Sequence, residues 1–167
     1  MTENVVEGTI SNEVALNDSA RESVDVVGLI DNLRSGRSSV YSTYDSATIE
    51  GKLAVMDAIT NSEPVADHLN KPFAWANFVI QEATLTDEKT GELRTLPRLV
   101  LIDVDGKAYH AISDGLVKSV MNYVGVIGRP GTPDWPAEGV WVMVAEVKGS
   151  IPGRKFFTLK AAPAPKK

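Results

Sequence analysis

The sequence predicts a mainly β, α+β domain: about six antiparallel strands curled into a barrel or a sharply bent sheet, with two short helices. Three observations predict it. Strand-like segments follow one another through tight-turn residues, which favours antiparallel pairing. Only two strong segments of helical period interrupt them, which disfavours the alternating βαβ class. The 167 residues are 43% apolar and 23% charged, enough for one packed core.

Residues 1–22 are polar, acidic and free of aromatics, and they open a flexible acidic arm running to residue 36. Within it Ser23 is a cap candidate for a short helix to Leu33, carrying Val26, Val27, Ile30 and Leu33 near helical spacing. Gly28 weakens that helix. The loop residues Ser35, Gly36, Arg37 and Ser38 lead into the ordered domain, residues 37–160. Residues 40–43 read as a strand, and Asp45 and Ser46 as caps of a helix over 47–60. Ile49, Leu53, Met56 and Ile59 give that helix its apolar face, and Pro64 follows its end.

Residues 73–85 predict a long strand, 87–92 a solvated turn and 99–104 a second long strand. Trp75 fits either core or surface there. Asp105-Gly106 is the strongest hairpin signal and predicts a type I′ turn into a strand at 107–112. Ser113 and Asp114 cap the next helix, with Leu116, Val120, Val124 and Ile127 on one face and Gly128 and Pro130 at its end. Residues 140–147 and 154–159 form the final hairpin around Gly149 to Gly153, and 161–167 are a Pro/Ala/Lys tail.

Charge is distributed unevenly. Residues 1–34 carry −5 and residues 35–139 carry −5, whereas residues 140–167 carry +5, so the net −5 conceals a basic end. With no cysteine, a disulfide scaffold, a thiol nucleophile and a Cys-based zinc site are excluded. No long uncharged apolar run predicts a membrane helix, and the acidic start is unlike a secretory signal. The cytoplasm is the expected compartment, with no membrane partner.

Catalytic patterns are weak. Two histidines, His68 and His110, rule out a three-His metal site. Asp103 and Asp105 belong to the Asp-Gly turn more readily than to a metal centre. Gly125, Gly128 and Gly131 follow a helix and lack the Gly-Lys-Ser/Thr of a phosphate loop. No Gly-x-Ser-x-Gly elbow occurs. No enzyme activity, cofactor or metal is therefore expected.

The informative pattern is cations interleaved with aromatics at strand spacing. Alternation over residues 154–160 places Phe157 and Leu159 on one face, and Arg154, Phe156, Thr158 and Lys160 on the other. Trp141 and Lys148 stand on the partner strand, and Lys107 and Tyr109 form a similar pair on the central hairpin, with Arg98 nearby. Single-stranded nucleic acid suits this mixture, because cations neutralise phosphates and aromatic faces stack bases. Arg98, Lys107, Lys148, Arg154, Lys155 and Lys160 are the phosphate candidates. Tyr109, Trp141 and Phe156 are the stacking candidates.

The run Arg98-Leu99-Val100-Leu101-Ile102-Asp103-Val104-Asp105-Gly106-Lys107-Ala108-Tyr109-His110, followed by an apolar helix, resembles the middle of phage-encoded single-stranded DNA-binding proteins. Pro133-Asp134-Trp135-Pro136, the strand from Val140 to Lys148 and Gly153-Arg154-Lys155-Phe156-Phe157 resemble the later part, and Tyr41-Ser42-Thr43-Tyr44-Asp45 its start. The resemblance covers residues 37–160. It implies an OB-like barrel that binds and protects single-stranded DNA during phage replication or recombination, with phage replication proteins as possible further partners and the oligomeric state open. The Ala164-Pro165-Lys166-Lys167 tail differs from the acidic, Phe-ended tip of bacterial single-strand binders. Two other readings compete: a protein-interaction or virion-associated module, and a metal-dependent nuclease using Asp103, Asp105 and Glu146.

Overall fold

A computed structural model describes residues 40–166. The acidic arm and the short helix expected before Leu33 lie outside the described residues. The elements run β1 (Val40–Ser42), α1 (Ile49–Asn61), β2 (Glu63–Pro64), a 3-10 turn (Val65–His68), β3 (Phe73–Thr86), β4 (Leu93–Asp103), β5 (Ala108–Ile112), α2 (Asp114–Ile127), β6 (Val140–Lys148) and β7 (Lys155–Ala161). The strands order as β2-β5-β4-β3-β6-β7, with β1 also paired to β3. The sheet curls into a half-barrel, in keeping with the OB-like α+β expectation.

Six strands match the sequence reading, and β2 is additional. Its pairing with β5 is parallel, Glu63 against Tyr109 and Pro64 against His110, so the sheet is mixed. The proline suits a two-residue edge strand, where no ladder donor is needed on the open side. The Asp-Gly turn also differs in type. Gly106 has φ +83°, whereas Asp105 is not among the positive-φ residues. Asp103 N donates to Lys107 O at 2.9 Å and Gly106 N to Asp103 O at 3.1 Å, a type I turn closed by a left-handed glycine.

One irregularity sorts the core. The β3–β4 register shifts between Trp75 and Asn77, so β3 carries an extra residue at Ala76. Trp75, Phe78 and Ile80 consequently share one face of the sheet, and all are buried. Leu99 and Leu101 of β4, Val142 and Val144 of β6, and Leu159 of β7 join them. α2 covers this face with Leu116, Val117, Val120, Met121 and Val124. Each large apolar side chain buried here contributes about 1.5–3 kcal/mol.

α2 starts where the sequence places it. Ser113 caps it by accepting the Leu116 N–H, and the Gly128 N–H closes it on Val124 O. The helix lies along the free edge of β7, where Ser119 bonds to Leu159 and Thr158. A helix therefore stands where a further strand would otherwise attach.

α1 packs on the opposite face, over Val79, Val100, Ile102 and Ala108. Its cap is Thr48, accepting the Gly51 N–H, rather than Asp45 or Ser46. Its facing also differs from the apolar stripe read from the sequence. The buried positions are Gly51 and Ala58, with Val55 and Ile59 beside them, while Ile49, Leu53 and Met56 are 64%, 62% and 59% exposed. Gly51 lies against the segment leading into the helix, where a Cβ would collide with Asp45 O, and Ala58 packs on the sheet.

Candidate nucleic-acid interface

α1 covers only part of its side of the sheet. The cluster beneath it draws on β3, β4 and β5 and includes no residue of β6 or β7. The outer face of the β6–β7 hairpin is thus not covered by α1. Register fixes what stands on it. Val144 opposes Leu159, both in the core, so the alternate pairs Met143–Lys160, Ala145–Thr158 and Val147–Phe156 lie on the other face, where Ala145 is buried, Met143, Val147 and Thr158 are half-buried, and Phe156 and Lys160 are exposed. Trp141 precedes Met143 by two residues on the same face. Phe156 is 44% exposed, and Lys160 is exposed. At about 3.3 Å per residue, Trp141 and the Phe156 level stand roughly 20 Å apart, with Lys160 between them.

Along β7 this face meets a groove of about 780 Å³, lined by Lys118, Asn122, Arg154, Phe156 and Thr158 among others. Phe156 borders it by packing on α2, where a Cβ on Gly115 would lie 3.2 Å from its ring. The hairpin tip curls over through Gly149 N to Arg154 O and Arg154 N to Ile151 O, at 2.6 and 3.1 Å. Lys118, Lys148, Arg154, Lys155 and Lys160 surround the groove and the face, against the acids Asp114 and Glu146. Glu146 binds Lys155 at 2.8 Å and, by that bond, holds its ammonium ionised to higher pH. Burial pushes the Asp114 carboxyl up from its ordinary value.

The other sequence candidates fall elsewhere. Tyr109 turns into the core, 8% exposed, instead of offering a stacking face. Its ring meets His68 and Phe73 at centroid distances of 4.9 and 5.1 Å, and its hydroxyl donates to Asp103 Oδ2 at 3.3 Å. Lys107 lies in the turn ahead of β5, so Tyr109, two residues on, falls on the core side of the strand. Arg98 is half-buried and engaged. It donates to Ile59 O, Gln81 Oε1 and Ser62 Oγ, tying the end of α1 to the sheet. Lys107 is exposed, at the Trp75 end of the sheet and away from the groove. Trp75 is core, with Trp135 edge-on to it at 5.1 Å.

Asp103 is bound up in its turn. Its Oδ1 accepts the Asp105 and Lys107 N–H groups, both at 2.9 Å, and its Oδ2 accepts the Tyr109 hydroxyl. Among the described residues no three His, Asp or Glu side chains group as metal ligands. Lys118 and Asn122 were not legible as site residues, because α2 reads as a core helix. Their spacing of four on its polar flank is the signal that marks them.

A family model described as phage single-stranded DNA-binding protein matches residues 35–162. No curated protein and no solved structure matches the chain. Among the described residues no helix is long and apolar enough to cross a membrane.

Proposed function

The chain belongs to the phage single-stranded DNA-binding protein family and binds single-stranded DNA, and from that premise we propose that it coats single strands without sequence preference during phage DNA replication or recombination in the host cytoplasm. The role is protective and involves no catalysis. The strand runs over the outer face of the β6–β7 hairpin, stacking bases on Trp141 and Phe156. Lys160, Lys148, Arg154, Lys155 and Lys118 neutralise phosphates along the face and its groove, with Lys107 reached only by a longer strand.

The observation that carries this reading is the part of the outer face that α1 does not cover: half-buried Trp141 and exposed Phe156 with Lys160 between them. Backbone neutralisation and ring stacking are both indifferent to base identity, which supports binding without sequence preference. Tyr109 and Arg98 are left out of the proposed contact set because the core and the Ser62 network occupy them.

Tryptophan fluorescence during titration with poly(dT), poly(dA) and poly(dC) at two salt concentrations tests it. Quenching is expected with all three, with affinities within about tenfold and a steep loss at high salt. Saturable binding to only one of the homopolymers, or affinity insensitive to salt, would overturn it.

A further inference from the structure

α1 carries a second outward surface that DNA binding leaves unexplained. Ile49, Leu53 and Met56 are 64%, 62% and 59% exposed, and Thr60 follows them on the same exposed side. Spacings of four, three and four residues are those of the seam in a two-stranded helical pair. The seam is opposed by the buried Gly51 and Ala58, and Ala58 packs on the sheet. Three large apolar side chains in one row on a water-facing helix are uncommon without a partner.

The flanks of the row identify that partner. At 100° per residue, Lys52 lies on one side of the row and Asp57 and Glu50 on the other. If two copies of α1 run parallel, the lysine flank of each meets the acidic flank of the other. Lys52 then stands opposite Asp57 of the second copy, five residues ahead, the relation that stabilises parallel helix pairs. Antiparallel pairing sets lysine flank against lysine flank and acid against acid. The surface is thus complementary to itself in one orientation only.

We propose that α1 is a self-association surface, pairing in parallel with α1 of a second copy of this chain through Ile49, Leu53 and Met56. Three side chains per copy fall short of the roughly 800 Å² per partner of a standard interface, so the contact belongs to the weak, concentration-dependent class. Neighbours bound to one strand would be held at high effective concentration. The pairing itself needs no DNA and stands or falls independently of the proposed function.

The chain has no cysteine, which makes crosslinking specific. In a parallel pair each residue meets its own copy, so full-length Ile49→Cys is expected to oxidise to a disulfide-linked dimer as protein concentration rises. Glu88→Cys, in the exposed β3–β4 turn, is the control and is expected to remain largely monomeric. Lys52→Asp should weaken self-association of the unoxidised chain in sedimentation by about threefold. Adding Asp57→Lys to it should restore the parent value. Crosslinking through Leu53→Cys but not Ile49→Cys would mean antiparallel pairing and overturn the proposal. So would an Ile49→Cys chain that keeps its thermal transition but gives no covalent dimer at any concentration.

Discussion

Ser119 of α2 holds both backbone groups of Leu159 in β7: its Oγ accepts the Leu159 N–H at 2.9 Å and donates to the Leu159 carbonyl at 3.2 Å. Thr158 Oγ1 lies 3.1 Å from Ser119 Oγ. One hydroxyl therefore supplies to the sheet edge what a neighbouring strand would supply.

Ser119→Ala leaves a buried N–H and a buried carbonyl without that partner. The expected cost is about 1–3 kcal/mol of folding stability. It should appear as a lower urea midpoint with an unchanged slope. An unchanged midpoint would show that water or backbone movement replaces the serine.

Phe156→Ala separates the surface reading of the hairpin from a core reading. With Phe156 44% exposed, the thermal transition should persist within a few degrees. Oligonucleotide affinity should fall by the worth of one stacked base, about 1–3 kcal/mol. Loss of the transition together with binding would place the ring among the core residues instead.

Salt titration counts the phosphates. Each cation that neutralises a phosphate contributes roughly −0.7 to the slope of log affinity against log salt on a single strand. Lys160→Ala should make the slope shallower by about that amount, with a similar loss for every homopolymer. A slope unchanged from the parent would remove Lys160 from the contact set.

Alkaline stability reports on the Tyr109–Asp103 pair. Burial, followed by the charge and hydrogen bond of Asp103, pushes the Tyr109 hydroxyl up from 10.0 to about 12. Below pH 10 the group is protonated in both folded and unfolded chains, and its contribution is fully present. Between pH 10 and about 12 the unfolded chain releases the proton first, so stability falls as pH rises. Urea midpoints at pH 9 and pH 11 should show that fall. In Tyr109→Phe the same interval should give a smaller change, from a lower starting value. Equal pH dependence in the two proteins would contradict the assignment.

Where turn chemistry or helical period decides the outcome, this chain was readable. The β6–β7 hairpin and the Ser113-to-Gly128 helix came from such signals, and alternation placed Leu159 inward and Phe156 outward. The misses have physical causes. Helical spacing located the Ile49, Leu53 and Met56 row but carries no information on its direction, and the small residues Gly51 and Ala58 won the packed face. The extra residue at Ala76 has no sequence mark, so alternation alone does not decide which way Trp75 turns. Alternation pairs Tyr109 with Lys107, but the turn ends between them and only Tyr109 belongs to the strand. At β2, two residues including a proline are too few to show a period. The groove depends on α2 meeting a strand distant in sequence, which residue spacing cannot report.

The bulge at Ala76 has an optical consequence. By turning Trp75 inward, edge-on to half-buried Trp135, whose Nε1 donates to Trp75 O at 3.2 Å, it ties two indoles to the core packing and leaves half-buried Trp141 on the outer face. Emission from the Trp75–Trp135 couple changes when the chain loses its packing. Emission from Trp141 changes when something lies against the sheet. Replacing Trp141 with phenylalanine silences the second signal and keeps the first, so the protein carries separate internal gauges of its integrity and its occupancy.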